Sequence, residues 1–432
     1  MKELIHSDQL KGHKIVIVGA GRSGLSAASL TVALGADVKI VERNEQFDPQ
    51  VLSDKGMDKV EIILGEHKEE HFSQADMVII SPGIPVKQIK PLLGHNTMIC
   101  SELELASWFI HEPVIAVTGT NGKTTTTMLI AHVLEKAGKK VFAGGNLGTP
   151  LSEYVLSGKQ CDILVLEVSS FQLEACSGFH PEVGIFLNFS ANHLDHHKDE
   201  KEYFQAKARL FKSQKENDLA VIALELKDEM EKSGVLKGKR IYFIPTNRFS
   251  CPGLSGVHNQ GNIEAAYLAC KYYGITEEDF SRAINDFKPP PHRQEVFFKF
   301  QEKVFVNDSK ATTTTAMAAA LETFDAPIRL FAGGIFKGGD LSMLSSLIES
   351  KCAKVYLFGD SREVFESSWS GKTSIEYFET LEPAVKSALE ESESGDTLLL
   401  SPGTASFDLF RNYQERGDTF KKLVRKDLGF DE

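Results

Sequence analysis

The chain has 432 residues, 42% of them apolar and 25% charged, and its formal net charge is -12. This length exceeds one ordinary hydrophobic core and predicts two or three domains. The composition is typical of a folded, soluble protein. The acidic excess argues against nucleic-acid binding as the main role, so an anionic ligand would need local donors such as loop amides, Lys and Arg.

The cysteines and the N-terminus indicate where the protein works. Six Cys are scattered along the chain without any C-x-x-C pair, which argues against a zinc knuckle or disulfide framework and favours a reducing compartment. The N-terminus has no apolar signal-peptide region, and no apolar run is long enough to span a bilayer. We therefore expect a cytoplasmic monomer without a membrane partner.

The first segment of the chain, residues 1–100, alternates predicted strands and helices. "KIVIVGAG" is a β-branched run ending in glycines, "LSAASLTVALGA" has helical spacing, and "DVKIVER" and "ADMVIISPGIP" are further strands. This alternation predicts an α/β fold with a parallel, doubly wound sheet.

The glycine-rich turn "GAGRSG" connects the first strand and helix. Gly19, Gly21 and Gly24 satisfy G-x-G-x-x-G, and Glu42 ends the next strand, which is the context of a dinucleotide-binding turn. The underlying physics is general, because helix N–H groups and a glycine backbone suit any diphosphate. NAD, another diphosphate such as that of a UDP-sugar, and a tight turn that merely packs the helix all remain compatible with this motif.

Residues 101–290 and 291–432 repeat the α/β pattern. In the second segment, "VIAVTG", "CDILVLEVSS", "VGIFLNF", "LAVIAL" and "KRIYFIP" are predicted strands, and "NQGNIEAAYLACKYYG" is a predicted helix. Pro289–Pro291 stiffen the chain and are interpreted as a linker. The third segment has strands at "KVFVNDS", "IRLFAGG", "KVYLFGD" and "DTLLLSPG". Both "TTTT" runs follow strands and predict helix starts.

The loop "GTNGKTT" resembles a P-loop but departs from G-x-x-x-x-G-K-[ST], because Val117 stands where the first Gly belongs. Amides from Gly119 to Lys123 are predicted to form an anion nest. Lys123 can reach terminal phosphates and Thr124 can bind Mg²⁺. The structural alternative is a run of threonines that only caps a helix. The first interpretation predicts hydrolysis of, or transfer from, ATP or GTP.

Further candidate residues follow the next two strands. Glu167 ends an apolar strand, where an unpaired carboxylate is costly to bury, so a metal or Lys partner is expected beside a salt-bridge alternative. One of His193, His196 and His197 could stand beside Mg²⁺, while the others are predicted to belong to a solvated polar loop. The next segment, "KEYFQAKARLFK", predicts an amphipathic helix. On physical grounds alone, Lys207 in this helix is a surface residue.

Taken together, these motifs resemble the Mur ligase family, the ATP-dependent amide-forming enzymes of peptidoglycan precursor synthesis. The resemblance rests on "ISPGIP", "SELEL", "GTNGKTT", "GNLGTP", "EVSSFQLE", "LNFSANHLDHH", "PPPHRQE", "NDSKATT" and "SPGTASFDLFRNYQERG". It covers essentially the whole chain, and the order and spacing of the motifs are specific. Within the family they most resemble members that join D-glutamate to UDP-N-acetylmuramoyl-L-alanine.

The resemblance implies three α/β domains. Residues 1–100 would form a Rossmann-like domain that binds the UDP part of the substrate without NAD, 101–290 a P-loop-type central ATPase domain, and 291–432 a Rossmann-like domain that brings the amino acid. The partners would be small-molecule substrates, and the cofactors ATP, two Mg²⁺ and a CO₂-derived carbamate on Lys207. A neutral amine, and hence a depressed pKa, is needed for that carbamate.

The resemblance also assigns roles residue by residue. Catalytic and metal-binding positions are Lys123, Thr124, Glu167, His193 and Lys207. ATP-binding positions are Gly119, Thr120, Asn121, Gly122, Lys123, Thr124, Thr125, Asn259, Asn262, His292, Arg293 and Asp308. UDP-substrate positions are Gly21, Ser23, Gly24, Leu25, Ser26, Glu42, Arg43, Ser81, Gly83, Asn146 and Ser169. D-glutamate positions are Lys310, Thr312, Lys337, Ser406, Phe407 and Tyr413.

Two departures from the family pattern both concern the amino-acid pocket. The Asp expected two residues before Lys337 is not found there in "GGIFKGGD", and Tyr413 stands where the best-known members have Phe. Three rival functions are a folylpolyglutamate-type ligase, which should lack the first segment, an NAD-dependent oxidoreductase, which would leave "GTNGKTT" and Lys207 unused, and a non-catalytic nucleotide-binding protein.

Overall fold

A computed structural model describes residues 9–190, 196–254, 257–336, 338 and 340–430, with backbone only at 257 and 258. His193 and Lys337 therefore lie outside the described residues. The chain divides into two compact units, of which the first comprises Met1–Ser250 and Gly261–Asn285 and the second Cys251–Gln260 and Asp286–Glu432. The first unit contains two sheets and the second unit one.

The first sheet is parallel throughout, with strand order β3-β2-β1-β4-β5. Its strands are β1 (Lys14–Val18), β2 (Asp37–Glu42), β3 (Glu61–Leu64), β4 (Met77–Ile80) and β5 (Met98–Ser101). The three strands predicted from β-branched runs are all present. β3 and β5 are only four residues long, and their sequences gave no clear signal.

The second sheet is also parallel, with order β11-β10-β9-β6-β8-β7. Its strands are β6 (Val114–Thr118), β7 (Val141–Gly145), β8 (Ile163–Glu167), β9 (Val183–Phe186), β10 (Leu219–Ala223) and β11 (Lys239–Phe243). β6 lies between β8 and β9, where the strand order reverses. In an open α/β sheet, ligands bind at the carboxyl ends of the strands at such a point.

The third sheet has order β12-β13-β17-β14-β15-β16, and only the β12–β13 pair is antiparallel. Its strands are β12 (Glu295–Phe300), β13 (Lys303–Asn307), β14 (Ile328–Gly333), β15 (Cys352–Phe358), β16 (Ser374–Phe378) and β17 (Thr397–Leu400). Both faces of this sheet are apolar. Successive side chains of β17 point to opposite faces, so Leu399 packs in one apolar cluster while Leu398 and Leu400 pack in the other. The predicted α/β class is confirmed.

Helices connect the strands of all three sheets. In chain order they are α1 (Arg22–Ala33), α2 (Gln50–Ser53), α3 (Val86–Ile89), α4 (Glu102–Ser107), α5 (Lys123–Lys136), α6 (Leu151–Ser157), α7 (Ser170–Glu174), α8 (Glu200–Ala208), α9 (Lys227–Ser233), α10 (Val257–Tyr272), α11 (Glu277–Ala283), α12 (Thr314–Thr323), α13 (Ser345–Lys351), α14 (Arg362–Trp369), α15 (Leu381–Glu391) and α16 (Tyr413–Asp427). Within the described ranges, every helix is too short or too polar to traverse a lipid bilayer.

Candidate active site

The loop between β6 and α5 lies at the carboxyl end of the second sheet, which we call the central sheet, and leaves little space around Gly122. Gly122 precedes α5 with φ 78°, in the left-handed region that favours glycine. A Cβ at Gly122 would lie 2.2 Å from the Oδ1 atom of Asn262 on α10. Two independent constraints, backbone conformation and close approach, therefore require glycine at this position. They also bring Asn262, predicted as an ATP contact, against the loop.

Asn188 holds the loop from the neighbouring strand. Its backbone oxygen accepts a hydrogen bond from the Thr120 amide at 3.1 Å, and its Oδ1 accepts one from the Asn121 amide at 2.9 Å. These two amides thus donate to Asn188 in this structure, and the anion nest from Gly119 to Lys123 stays a prediction. Sequence reasoning missed Asn188, although its place just after β9, beside β6, is the kind of signal that finds strand-end residues.

Two lysine amines converge on one carbonyl oxygen of the loop. Lys123 Nζ donates to Gly119 O at 2.9 Å and to Thr120 O at 2.8 Å. Lys207 Nζ, from α8, donates to the same Gly119 O at 2.8 Å. The turn therefore places two lysine amines beside the loop between β6 and α5, where a protonated Lys123 can balance the charge of a polyanion.

Lys207 is buried, with 1% of its surface exposed, so the expectation of a surface lysine is wrong. Its amine lies 4.6 Å from the centre of the Tyr203 ring, one turn earlier on the helix. Burial lowers the pKa of Lys207 well below its ordinary value, the nearby Lys123 charge lowers it further, and Glu167 acts in the opposite direction. The sequence pattern of the helix does not reveal this burial, because a lysine has a long aliphatic stem that can pack against apolar neighbours.

Glu167 connects the loop between β6 and α5, which we call the nucleotide-type loop, with Asn146. Its carboxylate accepts a hydrogen bond from the Thr124 hydroxyl at 2.6 Å and another from the Asn146 side-chain amide at 2.6 Å. The residue is 2% exposed. Hydroxyl and carboxylate oxygens are the hard donors that Mg²⁺ takes while it keeps several waters. The described residues contain no cluster of three or more His, Cys, Asp or Glu that could hold a metal by themselves.

His196 and His197 are buried rather than solvated, which corrects the prediction of a polar loop. His196 Nε2 lies 2.7 Å from a carboxylate oxygen of Glu174, and His197 Nε2 lies 3.1 Å from the Ser170 hydroxyl. The Phe171 ring packs against both imidazoles. Burial lowers the pKa of His197, and the His196 charge adds to this. Both rings are buried because they pair with Ser170 and Glu174 of α7, which lie more than 20 residues earlier in the chain.

The glycine turn of the first sheet gathers residues from three strand ends. A Cβ at Gly24 would lie 1.9 Å from Gly19 O, so this position requires glycine. Ser81, after β4, donates its hydroxyl to Gly19 O at 3.0 Å. Glu42, at the end of β2, accepts a hydrogen bond from the Ala20 amide at 2.6 Å. Three predicted substrate residues are thus brought together at one edge of the sheet.

The remaining predicted UDP-substrate residues fall around this turn and the central sheet. Gly21 caps α1, and Leu25 and Ser26 are buried in its first turns beside Ser23. Arg43 is exposed, and a Cβ at Gly83 would meet open space. Ser169 caps α7, where its hydroxyl accepts a hydrogen bond from the Gln172 amide at 3.3 Å.

In the second unit, three predicted residues contact one another, and a fourth, Asp308, has partners of its own. Lys310 Nζ donates to the Tyr413 hydroxyl at 3.1 Å, and the His292 ring stands edge-on to the Tyr413 ring at 5.9 Å. The Asp308 carboxylate accepts hydrogen bonds from the Gln294 amide at 3.1 Å and the Ser401 hydroxyl at 2.9 Å. Burial raises the pKa of Asp308 to about 7.

Other predicted residues of the second unit differ in exposure. Asn259 and Ser406 are buried, whereas Phe407 is 63% exposed. Thr312 and Arg293 are half-buried, and Thr125 of the first unit is buried in α5.

Comparisons with known sequences cover the chain in three parts. Family models described as the Mur ligase MurD-like N-terminal domain, the Mur ligase middle domain and the Mur ligase glutamate ligase domain match residues 13–95, 117–250 and 292–403. The UDP-N-acetylmuramoylalanine--D-glutamate ligase of Desulfovibrio desulfuricans is 47% identical over 420 residues, 96% of each chain. That of Lawsonia intracellularis is 45% identical over 96% of this chain and 95% of its own.

Solved structures share the fold. The MurF ligase of Thermotoga maritima in complex with ADP aligns with a TM-score of 0.63 at 18% identity, over 99% of each chain. The FolC protein of E. coli, in complex with DHPP and ADP, aligns with a TM-score of 0.55 at 15% identity over 75% of this chain. The three consecutive family matches and the near-full-length relatives agree, and this chain belongs to the Mur ligase family.

Proposed function

We propose that this protein is an ATP-dependent ligase that joins D-glutamate to the L-alanine carboxylate of UDP-N-acetylmuramoyl-L-alanine, a step in peptidoglycan precursor synthesis. The observation that carries the proposal is the Glu167 carboxylate, which bonds to Thr124 of the nucleotide-type loop and to Asn146 at a substrate-type position. Relatives that bear this enzyme name match 96% of the chain.

The rival functions explain fewer of these features. An oxidoreductase would leave the lysines at Gly119 without a task, and so would a non-catalytic nucleotide-binding protein. A folylpolyglutamate-type ligase would use the central sheet, but it would have no use for the glycine turn beside Ser81 and Glu42. A ligase acting on a UDP-linked substrate accounts for both glycine loops.

Lys123 and the start of α5 would bind the phosphates of ATP. The carboxylate of the UDP-linked substrate attacks the γ-phosphate, and an acyl phosphate and ADP result. Charge spreads over the phosphoryl oxygens during this transfer, and a fixed cation with a helix N-terminus stabilises it without reorganisation. Gly119, Thr120, Asn121, Gly122, Thr124 and Thr125 would complete this ATP site, with Asn259, Asn262, His292, Arg293 and Asp308.

Thr124 and Glu167 would hold Mg²⁺, with His193 at a second metal position as the family resemblance implies. Bound Mg²⁺ neutralises phosphate charge and polarises the transferred group. The hydrogen bond between Thr124 and Glu167 fixes the carboxylate in advance, and Asn146 orients its other oxygen. Such partners keep oxygen ligands in place.

We propose that Lys207 carries CO₂ as a carbamate. The neutral amine attacks the carbon of CO₂, an N–C bond forms, and the amine proton leaves to solvent, so that a cation becomes an anionic oxygen donor. The support is geometric: the amine is buried beside Gly119 O and close to Lys123. An ammonium group at that depth, whose hydrogen bond goes to a neutral carbonyl oxygen, is costly, whereas an anion facing Lys123 and Mg²⁺ is not.

The other two substrates would occupy the turns already described. Gly21, Ser23, Gly24, Leu25, Ser26, Glu42, Arg43, Ser81, Gly83, Asn146 and Ser169 would line the UDP-linked substrate. Lys310, Thr312, Lys337, Ser406, Phe407 and Tyr413 would bind D-glutamate. The amine of D-glutamate attacks the activated carbonyl and phosphate leaves. Water must be excluded during this step because it would hydrolyse the acyl phosphate.

We also propose the domain bounds 1–100, 101–290 and 291–432, a monomeric state and a cytoplasmic location. The second and third sheets each fall within one of these ranges, and the first does so except for Ser101, the last residue of β5. All six cysteines, which lie within the described residues, are free thiols, as expected in a reducing compartment.

Phosphate release from ATP tests the activity directly. We expect release that requires both UDP-N-acetylmuramoyl-L-alanine and D-glutamate, with the ligated product visible by mass spectrometry. Release that needs neither substrate, or that needs a folate and glutamate instead, would contradict the proposal. Replacing D-glutamate with L-glutamate or lysine in the same assay measures the specificity of the amino-acid pocket.

A second assay tests the carbamate. Lys207→Ala should abolish turnover, and added bicarbonate should not restore it, whereas short carboxylic acids that fit the vacated space should restore part of it. Carbon-13 bicarbonate should give a carbamate resonance in the wild-type protein that is missing in the variant. Full activity in Lys207→Ala would remove the carbamate from the mechanism.

A further inference from the structure

A cavity of about 910 Å³ opens at the amino-terminal edge of the central sheet. It lies between the segment that leads into β6, the start of β7 and the turn from α6 to β8. Ligand pockets for small molecules usually measure about 300–1,000 Å³. The cavity is therefore large enough for a metabolite, and no residue proposed above for catalysis or substrate binding lines it.

The cavity is remote from the nucleotide-type loop. Lys140 and Asp162 stand at its rim and pair through two backbone and side-chain hydrogen bonds, each 2.7 Å long. They precede β7 and β8, whose opposite ends lead to Asn146 and Glu167. Five strand residues at about 3.3 Å each separate the two edges by roughly 17 Å. A ligand here would not compete with ATP.

The cavity floor is apolar and aromatic. Phe109, Tyr154, Val155 and Leu156 contribute to it. The Tyr154 hydroxyl is already satisfied, because it donates to Glu112 at 2.6 Å and accepts from the Cys161 amide at 3.2 Å. The Tyr154 ring itself is 4% exposed and packs on Phe142, so the accessible apolar surface comes mainly from Phe109 and Leu156.

The hydrogen-bond donors and acceptors that line the cavity indicate which polar group the ligand should carry. Both Glu112 oxygens accept hydrogen bonds, from Tyr154 and from the His111 amide, and one Asp162 oxygen accepts from the Lys140 amide. The ammonium groups of Lys140 and Lys159, in contrast, form no ion pair within the described part of the chain. Their two positive charges offset the carboxylates of Glu112 and Asp162, so the preference comes from the hydrogen-bond donors and not from a net positive charge. Unused donors favour an anionic group.

We propose that this cavity is a second ligand site, which binds a small aromatic carboxylate or similar amphipathic anion. Its ring would lie on the apolar floor and its acidic group would face Lys140 and Lys159. This site is independent of the ligase chemistry, so its test does not depend on turnover.

Cys161 gives the test a built-in reporter. It lines the cavity and is partly exposed, while the other five cysteines are buried. The anionic reagent 5,5′-dithiobis(2-nitrobenzoate) is itself an aromatic carboxylate. Thiolate attack breaks its disulfide, forms a protein mixed disulfide and releases one thionitrobenzoate, and the thiol proton goes to solvent. The neutral aromatic reagent 4,4′-dithiodipyridine reacts in the same way and serves as the comparison.

We expect the rate with the anionic reagent to saturate with concentration, as it does when binding precedes reaction. Changing both Lys140 and Lys159 to Glu should lower its apparent affinity by about tenfold or more, because both cationic donors become anions. The rate with the neutral reagent should stay within about twofold, which also shows that the variant is folded. Lys237→Glu, the same change on an exposed lysine outside the cavity, should alter neither rate.

Non-covalent protection completes the experiment on the full chain. We expect 2-naphthoate to protect wild-type Cys161 from the neutral reagent in a saturable manner, with and without ATP, and to protect the double Lys variant at least tenfold less well. Cys161→Ser should lose the labelling. A non-saturating rate that ignores the Lys changes, labelling that persists in Cys161→Ser, or an absence of protection at millimolar naphthoate would each overturn the proposal.

Discussion

Gly122→Ala should be the most damaging single-methyl change in the nucleotide-type loop, and α5 provides its own control. Gly122 precedes this helix with φ 78° and Gly138 follows it with φ 82°. A Cβ at Gly138 would meet nothing within 4 Å, whereas one at Gly122 would lie 2.2 Å from Asn262 Oδ1. The two glycines share a backbone conformation and differ in the space around them.

The expected magnitudes follow from that difference. An alanine in the left-handed region costs about 1–2 kcal/mol, and this is the whole cost expected for Gly138→Ala. Gly122→Ala adds an overlap that the loop or Asn262 must relieve, which costs about 1–3 kcal/mol more. At about 2–4 °C per kcal/mol, the second variant should melt several degrees below the first.

Thermal unfolding and ATP kinetics measure the two effects separately. Relief of the overlap displaces residue 122, which directly precedes Lys123. The KM for ATP should therefore rise about tenfold or more in Gly122→Ala and stay unchanged in Gly138→Ala. Adding Asn262→Ala to Gly122→Ala should recover the excess loss of stability. Equal melting temperatures for the two glycine variants, or no recovery in the double variant, would refute the close approach as the cause.

Three further predictions test other groups of the two units. Thr124→Val should lower kcat for phosphate release more than tenfold, because Glu167 loses a buried hydroxyl donor worth about 1–3 kcal/mol, and Thr124→Ser should retain activity. Asp308 has a pKa raised to about 7 by burial. The folded state therefore holds a proton that the unfolded state loses from about pH 4 upward, and this residue's contribution to stability falls as pH rises to about 7. Asp308→Asn should flatten this dependence in melting curves from pH 5 to pH 8, and an unchanged slope would exclude Asp308 as its source. Glu174→Gln should lower the melting temperature by several degrees, because it weakens the 2.7 Å pair with buried His196. A shift below about 1 °C would show the pair to be energetically neutral.

Much of the architecture could be predicted from local patterns. Runs such as "KIVIVG" and "DTLLLSPG" identified buried parallel strands because side chains on both faces of such strands are apolar. β3 and β5, at four residues each, carry too little pattern to stand out, and β12 is an antiparallel edge strand whose "EVFFKF" follows a proline-rich segment. β3 and β5 are held by β2 and β4, and β12 is held by the adjacent β13.

The candidate site was less predictable where long-range contacts decide the environment. Lys207 and His196 look like surface residues in sequence, and both are buried by partners on other elements, Gly119 O and Glu174. Asn188 lies in the motif "LNFSANHLDHH" but was given no role from it, yet it determines where two loop amides point. The family resemblance assigned Lys207 a role, but its burial could only come from the fold.

The glycine spacing of the loop has a physical basis in these contacts. In the common P-loop spacing, a glycine at the place of Val117 would belong to the loop, but here Val117 is a fully buried strand residue paired with β8 and β9. The turn is therefore shorter and begins at Gly119. Its carbonyl oxygen is then free to receive both Lys123 and Lys207. A loop two residues longer would move this oxygen away from α8, so the shortened spacing and the buried second lysine form one arrangement.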